Sequence, residues 1–136
     1  AAVGVAQLQE LDAFIDRKRS HAQSYSERLK ASGAPWEVVL EPRGSYGTYW
    51  MVLARYLDSK PENVLQVAKR WAGSGVGVRP LWKPLHTLPL FDQALHYGGE
   101  AAESVYASTI CLPSSVDLKE EEIDMVVRTI KPMAGS

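Results

Sequence analysis

The sequence predicts an α+β domain, with a sheet of about three strands and helices packed on it. Three observations support this class. Residues 2–32 carry apolar positions at helical spacing, residues 36–57 are rich in β-branched and aromatic residues, and two later segments have helix-start patterns. With 136 residues and 46% hydrophobic content, the chain has enough material for one ordinary core. We therefore expect a single domain over residues 1–136.

One long amphipathic helix is predicted for residues 2–32. Its apolar positions follow each other at steps of three, four or seven residues, and Gly33 and Pro35 are typical of a helix end. The chain starts inside this pattern without a helix cap, so we expect Ala1 to be an internal position of a longer protein. The residues of the apolar face are Leu8, Leu11, Ile15, Ala22, Tyr25 and Leu29.

Strands are predicted at Trp36–Leu40 and Tyr49–Leu57, separated by a Glu-Pro-Arg-Gly-Ser turn cluster. Val76–Val78 is predicted as a short strand, and residues 110–113 are predicted as an extended segment. The aromatic residues Tyr46, Tyr49 and Trp50 cluster at a strand entry, where they belong either to the core or to an interface.

Three further helices are predicted. The first begins at a capping box, Ser59-Lys60-Pro61-Glu62, and ends before Gly73-Ser74-Gly75. The second covers about residues 100–108. The third begins at a capping box, Asp117–Glu120, and Pro132 stops it. We expect these side chains to be buried: Val64, Leu65, Val67, Ala68 and Trp71 in the first, and Ile123, Val126, Val127 and Ile130 in the last.

Composition narrows the class of partner. The net charge is −1, from 15 basic and 16 acidic residues, which gives no reason to expect broad nucleic-acid binding or attachment to an anionic membrane. No apolar run approaches the roughly 18 residues of a membrane span. Cys111 is the single cysteine, interpreted as a small buried hydrophobe beside Ile110 and Leu112, and a lone cysteine suits the reducing cytoplasm. The three histidines share no ligand spacing, so no metal is expected.

The segment Arg79-Pro80-Leu81-Trp82-Lys83-Pro84-Leu85-His86 concentrates the chemistry of the chain. Its prolines predict a stiff, non-helical stretch from Leu81 to Leu85. Arginine supplies a planar donor fork, lysine a point charge, tryptophan a flat apolar face and histidine a group that donates or accepts a proton. A phosphorylated or sugar-nucleotide ligand uses all four. The alternative is a structural loop with solvated cations.

Four landmarks, in order, resemble the C-terminal part of the DegT/DnrJ/EryC1/StrS sugar aminotransferases. They are the opening helix from Ala1 to Asp12, Tyr49-Trp50-Met51-Val52, the run from Gly75 to His86, and Cys111-Leu112-Pro113-Ser114 with the helix after it. The third is similar to the family's "Gly-Ile-x-x-Arg-Pro-x-x-x-Pro-x-His" segment. Together the landmarks cover almost the whole chain.

The resemblance implies the small C-terminal domain of the aspartate-aminotransferase fold (fold type I), with residues 2–32 as the interdomain helix. The large domain that binds pyridoxal 5′-phosphate (PLP) is absent from this sequence, and so is a lysine in a Schiff-base setting. We therefore expect no catalytic residue in this chain, no cofactor bound to it alone, and no activity without the rest of the enzyme.

The resemblance also implies that His86 faces a sugar-nucleotide site, that Arg79 and Lys83 contact its diphosphate, and that Trp82 stacks on the sugar or base. The implied enzyme is a cytoplasmic homodimer that moves an amino group, from glutamate, to a UDP-linked 4-keto-6-deoxy-N-acetylhexosamine for surface polysaccharide or protein glycosylation. The alternatives are a related PLP-dependent sugar dehydratase and a stand-alone binding module.

Overall fold

A computed structural model describes residues 2–58 and 64–130. Helices alternate with short strands, and α4 passes into β4 without a loop. In chain order the elements are α1 (Ala2–Gln9), α2 (Leu11–Ser32), β1 (Trp36–Val38), β2 (Val52–Tyr56), α3 (Val64–Gly73), β3 (Arg79–Pro80), α4 (Glu100–Ser108), β4 (Thr109–Leu112) and α5 (Glu120–Ile130). The predicted α+β class is confirmed.

One antiparallel sheet, in the order β1-β2-β4-β3, organises these elements. Its centre is the pairing of β2 with β4, in which Val52 lies opposite Leu112 and Ala54 opposite Ile110. These four side chains are buried on the face that packs against the helices, since alternate residues of a strand point to one side. Four strands are described in these residues where the sequence predicted about three.

The edge strand is not where the sequence placed it. Val76–Val78 is buried at both valines but forms no strand. The Val76 N–H instead donates to the Trp71 carbonyl at 3.0 Å, closing the end of α3, and the Val78 N–H donates to Val76 at 3.0 Å. Pairing with β4 begins only at Arg79 and Pro80. A proline lacks an N–H to share, so this residue fits a sheet edge.

The predicted single helix over residues 2–32 is divided at Glu10 into α1 and α2. The Glu10 N–H donates to the Gln7 carbonyl, three residues back, at 3.3 Å, so the regular helical bonding pattern is interrupted there. The expected apolar face is buried only in its second half, at Ala22, Tyr25 and Leu29, whereas Leu8 and Leu11 are exposed.

The predicted faces of α3 and α5 are confirmed with one exception. Val64, Val67, Ala68 and Trp71 are buried on α3, but Leu65 is 46% exposed because it lies on the opposite side of that helix. All four expected side chains of α5 are buried. The capping box at residues 59–62 and the stop at Pro132 lie outside the described residues.

The cap of α5 lies two residues later than predicted. The helix begins at Glu120, and the Lys119 N–H donates to Glu122 Oε2 at 2.8 Å, which is the reach-back half of a capping box. The Glu120 carboxylate therefore does not accept the Asp117 N–H, as the predicted capping box would require. Its carboxylate instead accepts a hydrogen bond from Ser24 and pairs with Arg28, both on α2. The acidic first turn of α5 thus joins two helices as well as matching the helix dipole.

The connection between β1 and β2 is anchored to α2 by Arg19. Its guanidinium pairs with Glu41 (Nη2–Oε1 2.5 Å), donates to the Gly47 carbonyl at 2.6 Å and lies over the Tyr46 ring, 4.2 Å from the centroid. The Tyr49 hydroxyl accepts the Glu41 N–H at 2.8 Å. The hydrogen bonds from Arg19 and from the Gly47 N–H lower the pKa of Glu41 to about 2.

We predict that Ile123→Ala lowers the free energy of unfolding by about 2–5 kcal/mol, because the fully buried side chain leaves a cavity against the sheet. Met125→Ala is the matched control on the same helix. That side chain is 49% exposed, and we expect a change of about 0.5 kcal/mol or less. Urea denaturation of both variants measures the difference. Equal losses would contradict the assigned core face of α5.

We predict that the Arg19–Glu41 pair makes stability fall in acid. Because the pKa of Glu41 is lower in the folded chain than its ordinary value of 4.5, the stabilisation is complete above that value and is lost as the pH falls towards about 2. Glu41→Gln should flatten the dependence of melting temperature on pH in this window. Glu37→Gln, which removes an exposed cross-strand pair with Arg55, is the control. A profile that Glu41→Gln leaves as steep as before would show that the pair does not cause the acid loss.

Candidate functional site

The Arg79–His86 segment leaves the edge of the sheet and crosses the surface towards α4. Residues 81–84 are non-helical, as predicted, while Leu85 already begins a 3₁₀ turn that runs to Thr87. The turn is closed by hydrogen bonds to the Pro84 carbonyl, from the Thr87 N–H at 3.0 Å and from its hydroxyl at 2.7 Å. The segment is therefore held at both ends, by β3 and by this turn.

Arg79 lies on the sheet face that is less covered by helices. It is the direct cross-strand partner of Cys111, so both side chains point away from buried Ile110 and Leu112. Cys111 is consequently half-buried and not buried beside its neighbours as predicted. Burial raises the pKa of the Cys111 thiol, and the charge of Arg79 opposes that rise. A permanent cation thus stands on an accessible face.

Trp82 is 67% exposed and stacks on Trp50, which is 62% exposed. The ring centroids are 5.6 Å apart and the planes are inclined by 22°. The Trp50 carbonyl accepts hydrogen bonds from Lys18 Nζ at 3.3 Å and from Ser114 Oγ at 3.2 Å. Trp50, which the sequence left between core and interface, is therefore part of an exposed aromatic surface.

Lys83 is exposed next to this pair and makes no hydrogen bond or ion pair with any residue that the structure describes. The side chain of Arg79 is likewise without a carboxylate partner among residues 2–58 and 64–130. Two cations and one indole therefore follow one another along this segment, with Trp50 stacked on Trp82, and no carboxylate of the described residues neutralises the two charges.

His86 is enclosed by residues from the stretch leading into α4 and from α4 itself. Its Nε2 lies 2.9 Å from Glu103 Oε1, and its ring stacks on His96 with centroids 5.1 Å apart and planes inclined by 18°. The exposed side-chain fractions are 18% for His86 and 57% for Glu103. Neither His96 nor Glu103 carried a recognisable signal in the sequence, because Glu103 reads only as a first-turn carboxylate.

Gly99 makes room for the imidazole. A Cβ on Gly99 would lie 2.8 Å from His86 Nε2 and 2.9 Å from Cε1, closer than packed atoms approach, and the residue has φ of +128°. Gly98, also at positive φ, has nothing nearer than Glu100 Oε2 at 4.0 Å. Both glycines thus allow a positive φ before α4, and Gly99 also leaves space for the His86 ring.

The four predicted ligand-binding residues do not line the clefts that the described residues form beside the β1–β2 connection. A cleft of ≈ 460 Å³ lies between α2 and the β1–β2 connection, and none of Arg79, Trp82, Lys83 and His86 lines it. Arg79 is held by β4, Trp82 by Trp50 and His86 by α4. They follow one another along a strip of chain from the edge strand to α4, in which Arg79, Trp82 and Lys83 are exposed and His86 is mostly covered.

Neither a metal site nor a membrane span is found within residues 2–58 and 64–130. No group of three or more His, Cys, Asp or Glu is placed there to hold a metal ion. No helix in the same ranges is long and apolar enough to cross a membrane.

The model of the DegT/DnrJ/EryC1/StrS aminotransferase family matches residues 1–131, and the chain belongs to that family. Among curated relatives, it is 33% identical over 134 residues to EpsN of Bacillus subtilis, a protein assigned as a pyridoxal phosphate-dependent aminotransferase. It is 30% identical over 132 residues to GDP-perosamine synthase of Escherichia coli O157:H7. Each match covers 96% of this chain and 34% of the relative, so the chain spans about a third of their length.

Solved structures share this fold. PseC of Helicobacter pylori, an aminotransferase involved in the biosynthesis of pseudoaminic acid, superposes with a TM-score of 0.83 at 15% identity, covering 95% of this chain and 35% of PseC. The aminotransferase TlmJ of Streptoalloteichus hindustanus gives 0.78 at 24% identity, covering 95% of this chain and 34% of TlmJ. At these identities the likeness establishes the fold, and the predicted fold type is confirmed.

We predict that Gly99→Ala displaces the His86 ring and destabilises the domain, because the added methyl collides with the imidazole. Gly98→Ala is the matched control, since it also strains a positive φ but meets no imidazole. Nuclear magnetic resonance of the histidine rings, with thermal unfolding, distinguishes the two. Equal shifts of the His86 resonances in both variants would show that the absent Cβ of Gly99 is not what leaves space for the ring.

Proposed function

We propose that this chain is the small C-terminal domain of a PLP-dependent sugar aminotransferase, and that it supplies one wall of the nucleotide-sugar site. The observation that carries the proposal is the family match over residues 1–131, combined with the exposed Arg79, Trp82 and Lys83 on the strip that ends at His86. The whole enzyme would transfer an amino group, with glutamate as the proposed donor, to the keto carbon of a nucleotide-linked sugar. Its homodimeric state and cytoplasmic location are parts of the same proposal.

The residues of the strip suit a nucleotide sugar. Arg79 and Lys83 are cations without internal partners in the described part of the chain, and a diphosphate provides the anionic oxygens that they lack. Trp82 offers one free face beyond its contact with Trp50, which suits stacking on a sugar or a base. His86 would hydrogen-bond the hexose or its phosphate. We propose a UDP-linked 4-keto-6-deoxy-N-acetylhexosamine as the substrate, used in surface polysaccharide or protein glycosylation.

The two lysines nearest the candidate site are poorly placed for the Schiff base that PLP requires. Lys18 donates to the carbonyls of Trp50 and Ser114, at 3.3 Å and 2.6 Å, and partial burial lowers the pKa of this amine. Lys83 stands on the exposed strip. Neither of these lysines lies in an enclosed site that would hold a pyridine ring, which supports our proposal that the cofactor and the reacting lysine belong to the rest of the enzyme. The chain by itself should therefore be inactive and free of cofactor.

The test is to express the complete reading frame that contains these residues and to supply glutamate with UDP-, dTDP- and GDP-linked 4-keto-6-deoxy sugars. We expect PLP absorbance in the purified protein and an aminated sugar by mass spectrometry, with the UDP sugar preferred. The 136-residue chain alone should show neither. Binding of PLP by the short chain would overturn the assignment, and a dehydrated product in place of an amine would indicate the related sugar dehydratases.

In the intact enzyme, Arg79→Ala should raise the KM for the nucleotide sugar on the order of tenfold, because a charge-assisted hydrogen bond to phosphate is lost. The KM for glutamate should stay unchanged. Arg55→Ala is the matched control, since Arg55 is also half-exposed on the sheet but already pairs with Glu37 at 3.2 Å. Steady-state kinetics with each substrate varied in turn decides the point. Equal increases for both substrates would remove Arg79 from the phosphate site.

A further inference from the structure

His86 and Glu103 form a directed pair, and its geometry determines which ring nitrogen is available. Nε2 lies 2.9 Å from the Glu103 carboxylate, which only accepts hydrogen bonds when ionised. In the neutral imidazole the proton must therefore be on Nε2. When a carboxylate holds the proton on one ring nitrogen of a neutral histidine, the other ring nitrogen can only accept a hydrogen bond.

Nδ1 is the nitrogen that remains. It has no hydrogen-bond partner among the described residues. Among those residues, the buried side-chain atoms that lack a partner are His21 Nδ1 and Thr109 Oγ1, and His86 Nδ1 is not one of them. Nδ1 therefore reaches solvent. With Nε2–H directed to Glu103, Nδ1 carries a lone pair and accepts a hydrogen bond.

The pair is held on rigid elements. Glu103 is in the first turn of α4, and α4 continues directly into the central strand β4. The His96 ring covers one face of His86, and the missing Cβ of Gly99 lets the imidazole sit beside the start of α4. Both the carboxylate and the ring are consequently fixed relative to the sheet.

We propose that Glu103 is a positioning residue that holds His86 in the Nε2–H tautomer, so that Nδ1 accepts a hydrogen bond from a hydroxyl of the sugar. This inference rests on the proposed function and makes it more specific. A diphosphate has only acceptor oxygens at neutral pH, so a neutral Nδ1 acceptor selects the hexose over the phosphate. Phosphate recognition is then left to Arg79 and Lys83.

The first test reads the tautomer without turnover. The complete protein is labelled with ¹⁵N-histidine, and His86 is identified by comparison with His86→Gln. At mildly alkaline pH we expect Nε2 protonated and Nδ1 unprotonated, because Nε2 faces the Glu103 carboxylate. Glu103→Ala should mix the two tautomers, whereas Glu103→Gln, whose amide oxygen still accepts Nε2–H, should preserve the original one. Protonation of both nitrogens, or a tautomer unchanged by Glu103→Ala, would overturn the proposal.

Glu100→Ala is the matched control. It removes the same charge from the first turn of the same helix, so it reproduces any loss of helix-dipole stabilisation without touching His86. We expect it to leave the ring-nitrogen shifts unchanged. A change as large as that of Glu103→Ala would show a general effect on α4 and would contradict the specific pair.

The second test is a double-mutant cycle on the KM for the keto sugar. Glu103→Ala should raise this KM by about tenfold when His86 is present, the size of one oriented hydrogen bond, and should have no effect in a His86→Gln background. Additive effects would overturn the positioning role. If no keto sugar is aminated but the tautomer responds as expected, the proposed function fails while the Glu103–His86 pair stands. If a keto sugar is aminated but the tautomer does not respond to Glu103→Ala, the proposed function stands and the positioning role of Glu103 fails.

Discussion

The pairing of β2 with β4 is the constraint on which the rest of the domain depends. It joins Val52–Arg55 to Thr109–Leu112 and makes the two strands the centre of the sheet. The long separation between the strands means that their pairing costs loop-closure entropy, which the buried side chains on the helix-covered face offset. Once this ladder is formed, β1 and β3 have an edge to join, and α2, α3 and α5 have an apolar face to cover.

The same ladder also positions the candidate site. Because α4 runs into β4 without a loop, Glu103 is placed by the central strand, and because β3 pairs with the other side of β4, the segment after Arg79 starts from that strand too. The positions of both His86 and Glu103 therefore depend on β4, for His86 through the segment after β3 and for Glu103 through α4. A site built in this way keeps its geometry without a closed pocket, which is what one wall of a larger site requires.

Several exposed surfaces of this chain have a composition typical of contact sites. Leu8 and Leu11 are apolar yet exposed, and Trp50 with Trp82 presents a large aromatic surface. Arg79 and Lys83 have no carboxylate partner among residues 2–58 and 64–130. Under the proposed function, the rest of the enzyme or its ligand would cover these surfaces.

The sequence by itself determined the α+β class, the helices α4 and α5, the buried faces of α3 and α5, and the segment that holds the cationic and aromatic residues. These features are local, since they follow from periodicity, caps and proline, which act within a few residues. Only the tertiary structure decided that Arg79–Pro80 and not Val76–Val78 forms the edge strand, that Glu122 and not Glu120 caps α5, and that Trp50 joins Trp82. It also decided the meeting of His86 with Glu103. Each of these contacts joins residues that compete for one partner or lie far apart in the chain, so no short pattern encodes them.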